Sequence, residues 1–416
     1  MLTSRTHHAM TRSRYIWLIL ILGGLTALTP FSIDMYLPGF PAIAKDLSTS
    51  AAKVSLSLSS FFIGIALGQL LYGPLLDRFG RKKPLYIGLS VYILASMGCV
   101  FVHSINGLIS LRIIQALGSC AASVVSITLV RDLFPVEDNA KVFALLILVL
   151  GASPMIAPTA GGYIISSYGW HAVFIVLTLI CVSIFICSIF WLPPGNPPDL
   201  ERSLKPIPIT KSFLAVFTNP QFYTYCLTGA LAFTGLFAYV AGSPVVFMSV
   251  FGVSQKTYGW IFAMLSIGFI GSSQLNNLLL KRFNSHQILR FILICYSVLA
   301  ILFFLFSQED WLSLPVTMIF LFGLLACVGI ANPNTAALTL APFSKNAGTA
   351  SSLMGAIQMG LGSLISVFIS LFEKPSLTPL AIAFLMSSLL AFFMLKLGSR
   401  QIKSPVREGA AVVAGH

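Results

Sequence analysis

The chain has 416 residues, of which 57% are hydrophobic and only 9% charged, whereas roughly a quarter of the residues in a soluble globular protein carry charge. That excludes an ordinary water-soluble domain. Its 25 basic and 12 acidic residues leave a net charge of +13, but the basic residues punctuate long apolar runs instead of forming one dense patch, so the charge does not point to nucleic acid. Seven cysteines all lie inside apolar runs, with no C-x-x-C pair and no histidine at ligand spacing; they read as small packing residues, and no metal site is expected.

A bilayer crossing takes about 20 predominantly apolar residues. Apolar runs between charged or Pro/Gly-rich breaks give twelve predicted spans, at 15–42, 52–73, 84–103, 107–130, 141–165, 171–192, 222–245, 256–280, 287–307, 312–335, 348–371 and 377–397. The first follows Arg5, Arg12 and Arg14 and so has the flank of a signal peptide, but the many later runs make it the first retained helix. Long runs without period-two alternation exclude a β-barrel, and only helices remain to satisfy a backbone in hydrocarbon. The predicted fold class is therefore an all-α membrane protein with 12 transmembrane helices.

The one long break, rich in proline and charge, straddles the middle of the chain. The predicted organisation is an N-terminal six-helix bundle (1–192), a cytoplasmic central linker (193–219), a C-terminal six-helix bundle (220–397) and a cytoplasmic tail (398–416). A weak repeat supports two related halves: L-L-D-R-F-G around Arg78 can be laid on L-L-K-R-F-N around Arg282. Six plus six related spans are the mark of a large transporter fold. Lys and Arg set the orientation. With the N-terminus inside, twenty of them, including Arg5, Arg202, Lys205, Lys345, Lys403 and Arg407, fall on the cytoplasmic side; only Lys45, Lys53, Lys256 and Lys374 fall opposite. Both termini are expected inside, and the +13 needs no anionic partner.

Allocating every charge to a loop or interface leaves Asp34 and Arg112 embedded within spans. Ionisable groups at membrane depth are costly and mark function by default. Asp34 lies 20 residues after Arg14 and Arg112 lies 19 before Arg131, so at 1.5 Å per residue both sit about 30 Å from the cytoplasmic ends of their helices. They share one level, nearer the outer face. The functional reading makes Asp34 a carboxyl whose desolvation lets it take up and release a proton, with Arg112 biasing that equilibrium; the structural reading is a pair that neutralises itself, or an Asp34 at the outer boundary. Polar Gln115, Asn332, Asn334 and Gln358, deep in apolar helices, suit either a substrate cavity or interhelical hydrogen bonding. Met35 and Tyr36, with Tyr225, Phe233, Phe237 and Tyr239 in the seventh span, offer an aromatic wall to an amphiphilic substrate, although such stripes more often face lipid or core.

Residues 73–83 read G-P-L-L-D-R-F-G-R-K-K and are expected to form a tight loop between the second and third spans. Gly73 and Gly80 suit the turn, Asp77 can sit at a positive helix end beside Arg78, and Arg81 can bridge to Asp132, which neighbours Arg131 at the inner end of the fourth span. Such a clasp can hold one conformation of the two halves, or simply fix topology. In the fifth span Pro154 and Pro158 fall four apart on one face, with Gly161 and Gly162 a turn beyond, giving a bent, closely approached contact suited to a pivot or seal.

Residues 73–83 resemble the loop signature G-x-L-A-D-R-x-G-R-K of the major facilitator superfamily, with Leu76 in place of alanine. Residues 111–118, with Arg112, Gln115 and Gly118, look like its fourth-helix pattern R-x-x-Q-G-x-G, and residues 151–162 are similar to the G-P-x-x-G-G element associated with antiporters, with Ala157 where that element has glycine. Together with Ser32-Ile-Asp34-Met-Tyr36-Leu-Pro38, Arg131-Asp132 followed by Pro135, and residues 347–352, these features resemble the Bcr/CflA branch of drug:proton antiporters over nearly the whole chain. The resemblance implies a multi-pass exporter of drugs or small metabolites in the bacterial inner membrane, driven by proton entry. It implies Asp34 and Arg112 as coupling and cavity residues, and Asp77, Arg81 and Asp132 as a cytoplasmic gate. A second acid, present in the first helix of some such antiporters, is missing here, so coupling rests on Asp34.

No H-E-x-x-H, G-x-S-x-G, C-x-x-C or phosphate-binding G-x-x-x-x-G-K occurs, which argues against a membrane-embedded enzyme and an ATP-driven pump. His7, His8, His103, His171, His286 and His416 are scattered and read as incidental. The expected protein is thus no enzyme and takes no cofactor beyond the proton. Its expected partners are a small molecule and the lipid bilayer, and a 6+6 bundle can work as a monomer. A symporter or facilitator for a native solute is the alternative within transporters.

Overall fold

In hydrocarbon a backbone must bond to itself, and the chain does so through helices that begin at polar caps. Ser50, Ser104, Ser254 and Asn284 each accept a hydrogen bond from the backbone N–H three residues on, and Asn219 accepts from both Gln221 and Phe222. The computed structural model describes residues 12–199, 204, 206–309, 312–343, 346–372 and 374–402, and the chain in them is helical, with no strand among them. Arg5, Arg202, Lys205, Lys345, Lys403, Arg407, His7, His8, His416 and most of the expected tail lie outside the described residues.

The helices are α1 (Arg12–Asp34), α2 (Phe40–Asp46), α3 (Ala51–Phe79), α4 (Lys82–Val100), α5 (Ile105–Leu133), α6 (Val136–Tyr168), α7 (His171–Trp191), α8 (Pro206–Phe217), α9 (Pro220–Pro244), α10 (Gln255–Leu279), α11 (Ser285–Phe306), α12 (Leu314–Leu340), α13 (Ala347–Ser370) and α14 (Thr378–Gly398). Among the described residues, eleven segments are long and apolar enough to cross a membrane. The expected eighth span, α10, is long enough but carries Gln255, Lys256, Gln274, Asn276 and Asn277 and falls outside that set.

Three local details go beyond the expected spans. The first span, expected at 15–42, corresponds to a candidate crossing of Arg14–Asp46 that is not one helix: α1 stops at Asp34, and a short 3-10 turn (Leu37–Gly39) leads into α2, because Pro38 and Pro41 cannot donate to an uninterrupted α-helical ladder. Residues 73–83 are mostly not a loop: α3 absorbs Pro74 and continues through Phe79, leaving a turn of only Gly80 and Arg81, with Gly80 at φ +76°. The central break contains a helix of its own, α8.

Before the break, α1 packs on α5, α6 and α7, α3 on α5, and α4 on α5 and α7; after it, α9 packs on α12, α13 and α14, α10 on α12, and α11 on α12 and α14. Two long contacts cross between these sets, α3 with α13 and α6 with α10. The surface is apolar, with Leu94, Phe291 and Ile319 strongly exposed, while Ser55, Ser59, Ser96, Ser119 and Ser126 are buried. Such an inside-out distribution fits lipid as the solvent, with small polar residues joining helices.

Candidate functional site

Asp34 is the last residue of α1 and is 5% exposed; Arg112, about two turns into α5, is fully buried. The structure brings them to one level, since Arg112 Nη2 donates to the carbonyl of Ser32 at 2.8 Å, two residues before Asp34. They form no ion pair among the described residues. Arg112 Nη1 donates to Gln115 Oε1 at 2.5 Å, and Gln115 Nε2 donates in turn to Ser96 Oγ at 2.7 Å. The guanidinium carbon lies 4.1 Å from the ring centre of Phe61 and 4.3 Å from that of Tyr36, with Phe174 at 5.9 Å. A desolvated cation over aromatic faces gains about 2 kcal/mol or more. Arg112 is thus held by Gln115 of its own helix and by four other segments, α1, the turn with Tyr36, α3 and α7, with its Nε buried and without a partner among the described residues; Gln115 is its holder rather than an open cavity group.

No hydrogen bond reaches the Asp34 carboxylate among the described residues; the 3-10 turn that follows it (Leu37–Gly39) packs against α9 and α10 of the second half. Tyr258 Oη is 2.8 Å from Ser243 Oγ, whereas Tyr239 Oη is buried with no partner among the described residues. Met35 is buried, and its carbonyl abuts Gly161 so closely that a side chain there would collide with it. Tyr36 Oη is 3.3 Å from Ser57 Oγ, so Tyr36 walls the arginine rather than facing the aromatic residues of α9.

Those aromatic residues divide. Phe237 tilts against Phe62 of α3, centroids 4.6 Å apart, and edge-on against Phe233, which meets Phe269 at 6.0 Å. Tyr225 lines a small cavity with Asn332, Thr335, Thr339, Met354 and Gln358, where Gln358 Nε2 donates to Asn332 Oδ1 at 3.3 Å. Asn334 is absent from that lining; its Nδ2 donates to Asn276 Oδ1 of α10 at 2.7 Å and to the Ile330 carbonyl at 2.8 Å.

On α6, Thr159 Oγ1 donates to the Gly259 carbonyl at 3.1 Å, Pro158 lies against Gly259, and Gly162 sits against the Gln255 carbonyl. Pro154 is one turn earlier. The proline-glycine face therefore meets α10 at the end of the bundle that holds Asp34. At the opposite end Arg81 Nε donates to Asp132 Oδ2 at 2.8 Å and Arg81 Nη1 lies 3.3 Å from Asp77 Oδ1. Asp132 also accepts from Asn196, through Nδ2 at 2.7 Å and the backbone N–H at 3.2 Å, and the Asp199 N–H donates to the Asp77 carbonyl at 2.9 Å. The clasp so formed joins α3, α5 and the start of the central break. Arg131 is exposed, Arg78 lies 5.9 Å from the ring of Phe79, and Gly73 approaches Ser352 of α13 at the distance of ordinary contact.

The sequence profile of the Major Facilitator Superfamily matches residues 22–367. The chain belongs to this superfamily. A bicyclomycin resistance protein homolog of Haemophilus influenzae is 31% identical over 94% of this chain and 98% of its own length, and multidrug resistance protein D of Escherichia coli K12 is 28% identical over 86% and 90%. Among solved structures, a bacterial homolog of the human lysosomal transporter Spinster, inward-facing and occupied, superposes with a TM-score of 0.71 at 15% identity over 97% of this chain and 100% of its own. A D-xylose-proton symporter reaches 0.70 at 15% identity, over 92% and 97%. These two establish the fold alone.

This superfamily member is therefore a multi-pass membrane transporter and not an enzyme. Its sequence concealed several residues that the geometry brings forward. Tyr258, Ser243 and Phe61 sit in apolar helices like many other aromatic and hydroxyl residues; only the ring of Phe61 against Arg112 and the buried hydroxyl pair of Tyr258 and Ser243 single them out. Asn196 lies in a proline-rich break that gave no sign of holding Asp132. His286, read as incidental, places Nδ1 3.1 Å from the Tyr225 hydroxyl beside the small cavity.

Proposed function

We propose that this transporter is a proton-coupled antiporter that exports drugs or small metabolites from a bacterial cell by alternating access. It sits in the inner membrane as two six-helix halves, α10 supplying the twelfth span, with both termini in the cytoplasm, and it works as a monomer. The observation that carries this reading is Asp34: a buried acid without a hydrogen-bond donor among the described residues, just before the 3-10 turn that packs on α9 and α10, while the neighbouring arginine spends Nη1 and Nη2 on Gln115 and the Ser32 carbonyl. An acid so placed can exist neutral or charged, and the two forms favour different arrangements of the helices around it.

In this cycle the substrate enters between the halves from the cytoplasm, in contact with the Phe237 and Phe233 aromatic surface and the Asn332–Gln358 pair. Proton uptake by Asp34 from the outside then displaces it. Arg112 keeps a fixed positive field beside the acid, and the contact of Pro158, Gly161 and Gly162 with Met35 and α10 seals the outer end until the halves rock apart. The Arg81–Asp132 pair and Asp77 latch the first half to the linker on the cytoplasmic side. Export as the direction is supported by relatives named for resistance to drugs, since a transporter protects by carrying them out.

The test is flux of a lipophilic cationic dye in proteoliposomes under an imposed pH gradient. Wild-type protein is expected to accumulate dye on the acidic side. Asp34→Asn should insert and fold yet move dye only down its own gradient. Accumulation by Asp34→Asn equal to that of wild type refutes proton coupling through this acid; accumulation on the alkaline side makes the protein a symporter.

A further inference from the structure

Where α6 meets α10, at the end of the bundle that holds Asp34, a groove of about 520 Å³ is lined from both sets of helices: by Pro41 and Ser166 before the central break, and by Met248, Ser254 and Lys256 after it. Lys256 stands exposed at its rim, with Nζ 5.3 Å from the ring centre of Tyr163 on α6. One turn further along α10, Trp260 Nε1 donates to Tyr163 Oη at 3.4 Å. Both contacts join the first half to the second, and both lie at the surface, Tyr163 being 46% and Trp260 59% exposed.

No carboxylate lies within ion-pair distance of Lys256 among the described residues, and it is one of only four basic residues expected on its side of the membrane. The exposed hydroxyls of Ser254 and Thr257, 2.8 Å apart, stand in the same turn and can donate to an anion held by the ammonium. Below this turn the seam is apolar and exposed. Trp260, Met264 and Ile267 follow Lys256 at i+4, i+8 and i+11 on one face of α10, and Ile156 lies two turns before Tyr163 on α6. From Lys256 to Ile267 the helix rises about 16 Å, close to half of a ~30 Å hydrocarbon core. Charge, aromatic pair and apolar strip thus succeed one another in the order of a phospholipid's phosphate, glycerol backbone and acyl chain. A soluble anion would use the ammonium and the hydroxyls but leave the aromatic pair and the strip below it without a role.

We propose that this seam binds one anionic phospholipid of the outer leaflet, its phosphate on Lys256 and its acyl chain along α6 and α10, and that the bound lipid holds this end of the transporter closed. Tyr163 belongs to the half that carries Asp34, whereas Lys256 and Trp260 belong to the other. Separation of α6 from α10 therefore takes the ammonium off the ring, breaks the indole–phenol bond and divides the surface on which the chain lies. The lipid binds the shut state, in which Gly162 lies against the Gln255 carbonyl, more tightly than the open one, and so favours it. The word outer rests on the proposed topology; the coupling of lipid to closure does not.

The experiment places the full-length protein in nanodiscs whose two leaflets are alike. Fluorescence of Trp260, taken as the difference between wild type and Trp260→Phe, is quenched with lipids that carry brominated chains. Phosphatidylglycerol is expected to occupy the seam about fivefold more strongly than phosphatidylcholine, the ~1 kcal/mol that a lysine contributes near an anionic surface at about 1.4 kcal/mol per factor of ten. Lys256→Gln should abolish that preference, and Lys53→Gln, which removes another exposed lysine of the same side, should keep it. Spin labels at Tyr168, the last residue of α6, and at Val250, just after α9, should populate the shorter distance more in phosphatidylglycerol than in phosphatidylcholine, with no such response in Lys256→Gln. Equal affinity for the two lipids in wild type, or equal loss in Lys256→Gln and Lys53→Gln, overturns the site. A preference with unchanged distances overturns the clamp. Inorganic phosphate that shortens the distance in phosphatidylcholine as phosphatidylglycerol does would assign the groove to a free anion and overturn the lipid. None of these readouts involves proton movement, so their failure leaves the antiport reading standing.

Discussion

Arg112 shows how a cation is kept where water is scarce. Its partners are a backbone carbonyl, a glutamine oxygen and aromatic faces, none of which is charged, so its positive field remains available at the junction instead of being cancelled. The expectation of a self-neutralising pair is therefore not how these residues are arranged. Gln115 carries a charge-assisted bond and passes its own donor to Ser96, which makes the two side chains unequal in value. Gln115→Ala is expected to lower stability by about 1.5–3 kcal/mol because it strips a bond from a buried charge, whereas Ser96→Ala, which removes a neutral partner, should cost about 1 kcal/mol. Chemical unfolding of both variants in the same detergent measures the difference, and equal losses would show that the arginine does not depend on Gln115. The sequence made Asp34, Arg112 and Gln115 stand out as polar positions in apolar runs. It could not say which way the guanidinium turns, because Ser32, Phe61, Ser96 and Phe174 come from four other helices and none differs in type from its neighbours.

At the level of helices, most spans were legible to within a few residues, since each is an apolar run closed by a cap or a proline. The exceptions have physical reasons. Composition separates lipid-facing from polar sequence, but it does not register that α3 can carry Pro74 in its interior or that Leu75, Leu76 and Phe79 keep it helical into the expected loop. Composition is equivocal at α10, which was expected as a span but is more polar than the others, because its Asn276 is turned to Asn334 of α12 inside the second half instead of to lipid. The proline-glycine face of α6, expected to act as a pivot or seal, lies where α6, α10 and the end of α1 converge, and its glycines admit that close approach through absence of a side chain. Gly162→Val would drive its side chain into the Gln255 carbonyl, so α6 and α10 must separate at this end. Spin labels at Ser166 and Ser254, which flank that contact along one groove, are expected to report a longer mean distance in Gly162→Val than in an otherwise native chain. An unchanged distance distribution would show that the contact is not what closes this end.

Across the whole molecule, the two sets of helices meet through α3 with α13 and α6 with α10, and the segment after α7 is the only covalent tie between them. The tie is not slack along its length, for Asn196 and Asp199 bind it to Asp132 and Asp77 on the same surface that Arg81 organises. The clasp expected to join the two halves thus holds the start of the linker against the first half, and α8 then packs on α9 and α13 of the second. Movement of one half against the other must strain or release this segment. Asn196→Ala removes the Nδ2 bond to a carboxylate but leaves the Arg81–Asp132 pair, so about 1.5–3 kcal/mol of linker docking should be lost, which at 1.4 kcal/mol per factor of ten opens the segment about ten- to a hundredfold more often. Limited trypsin digestion reads this at Lys211, an exposed residue of α8. Cleavage there is expected in inside-out vesicles, faster in Asn196→Ala than in wild type, and absent from right-side-out vesicles if the linker is cytoplasmic. Equal rates in the two proteins would mean that Asn196 does not latch the linker, and cleavage from the right-side-out face would invert the proposed topology.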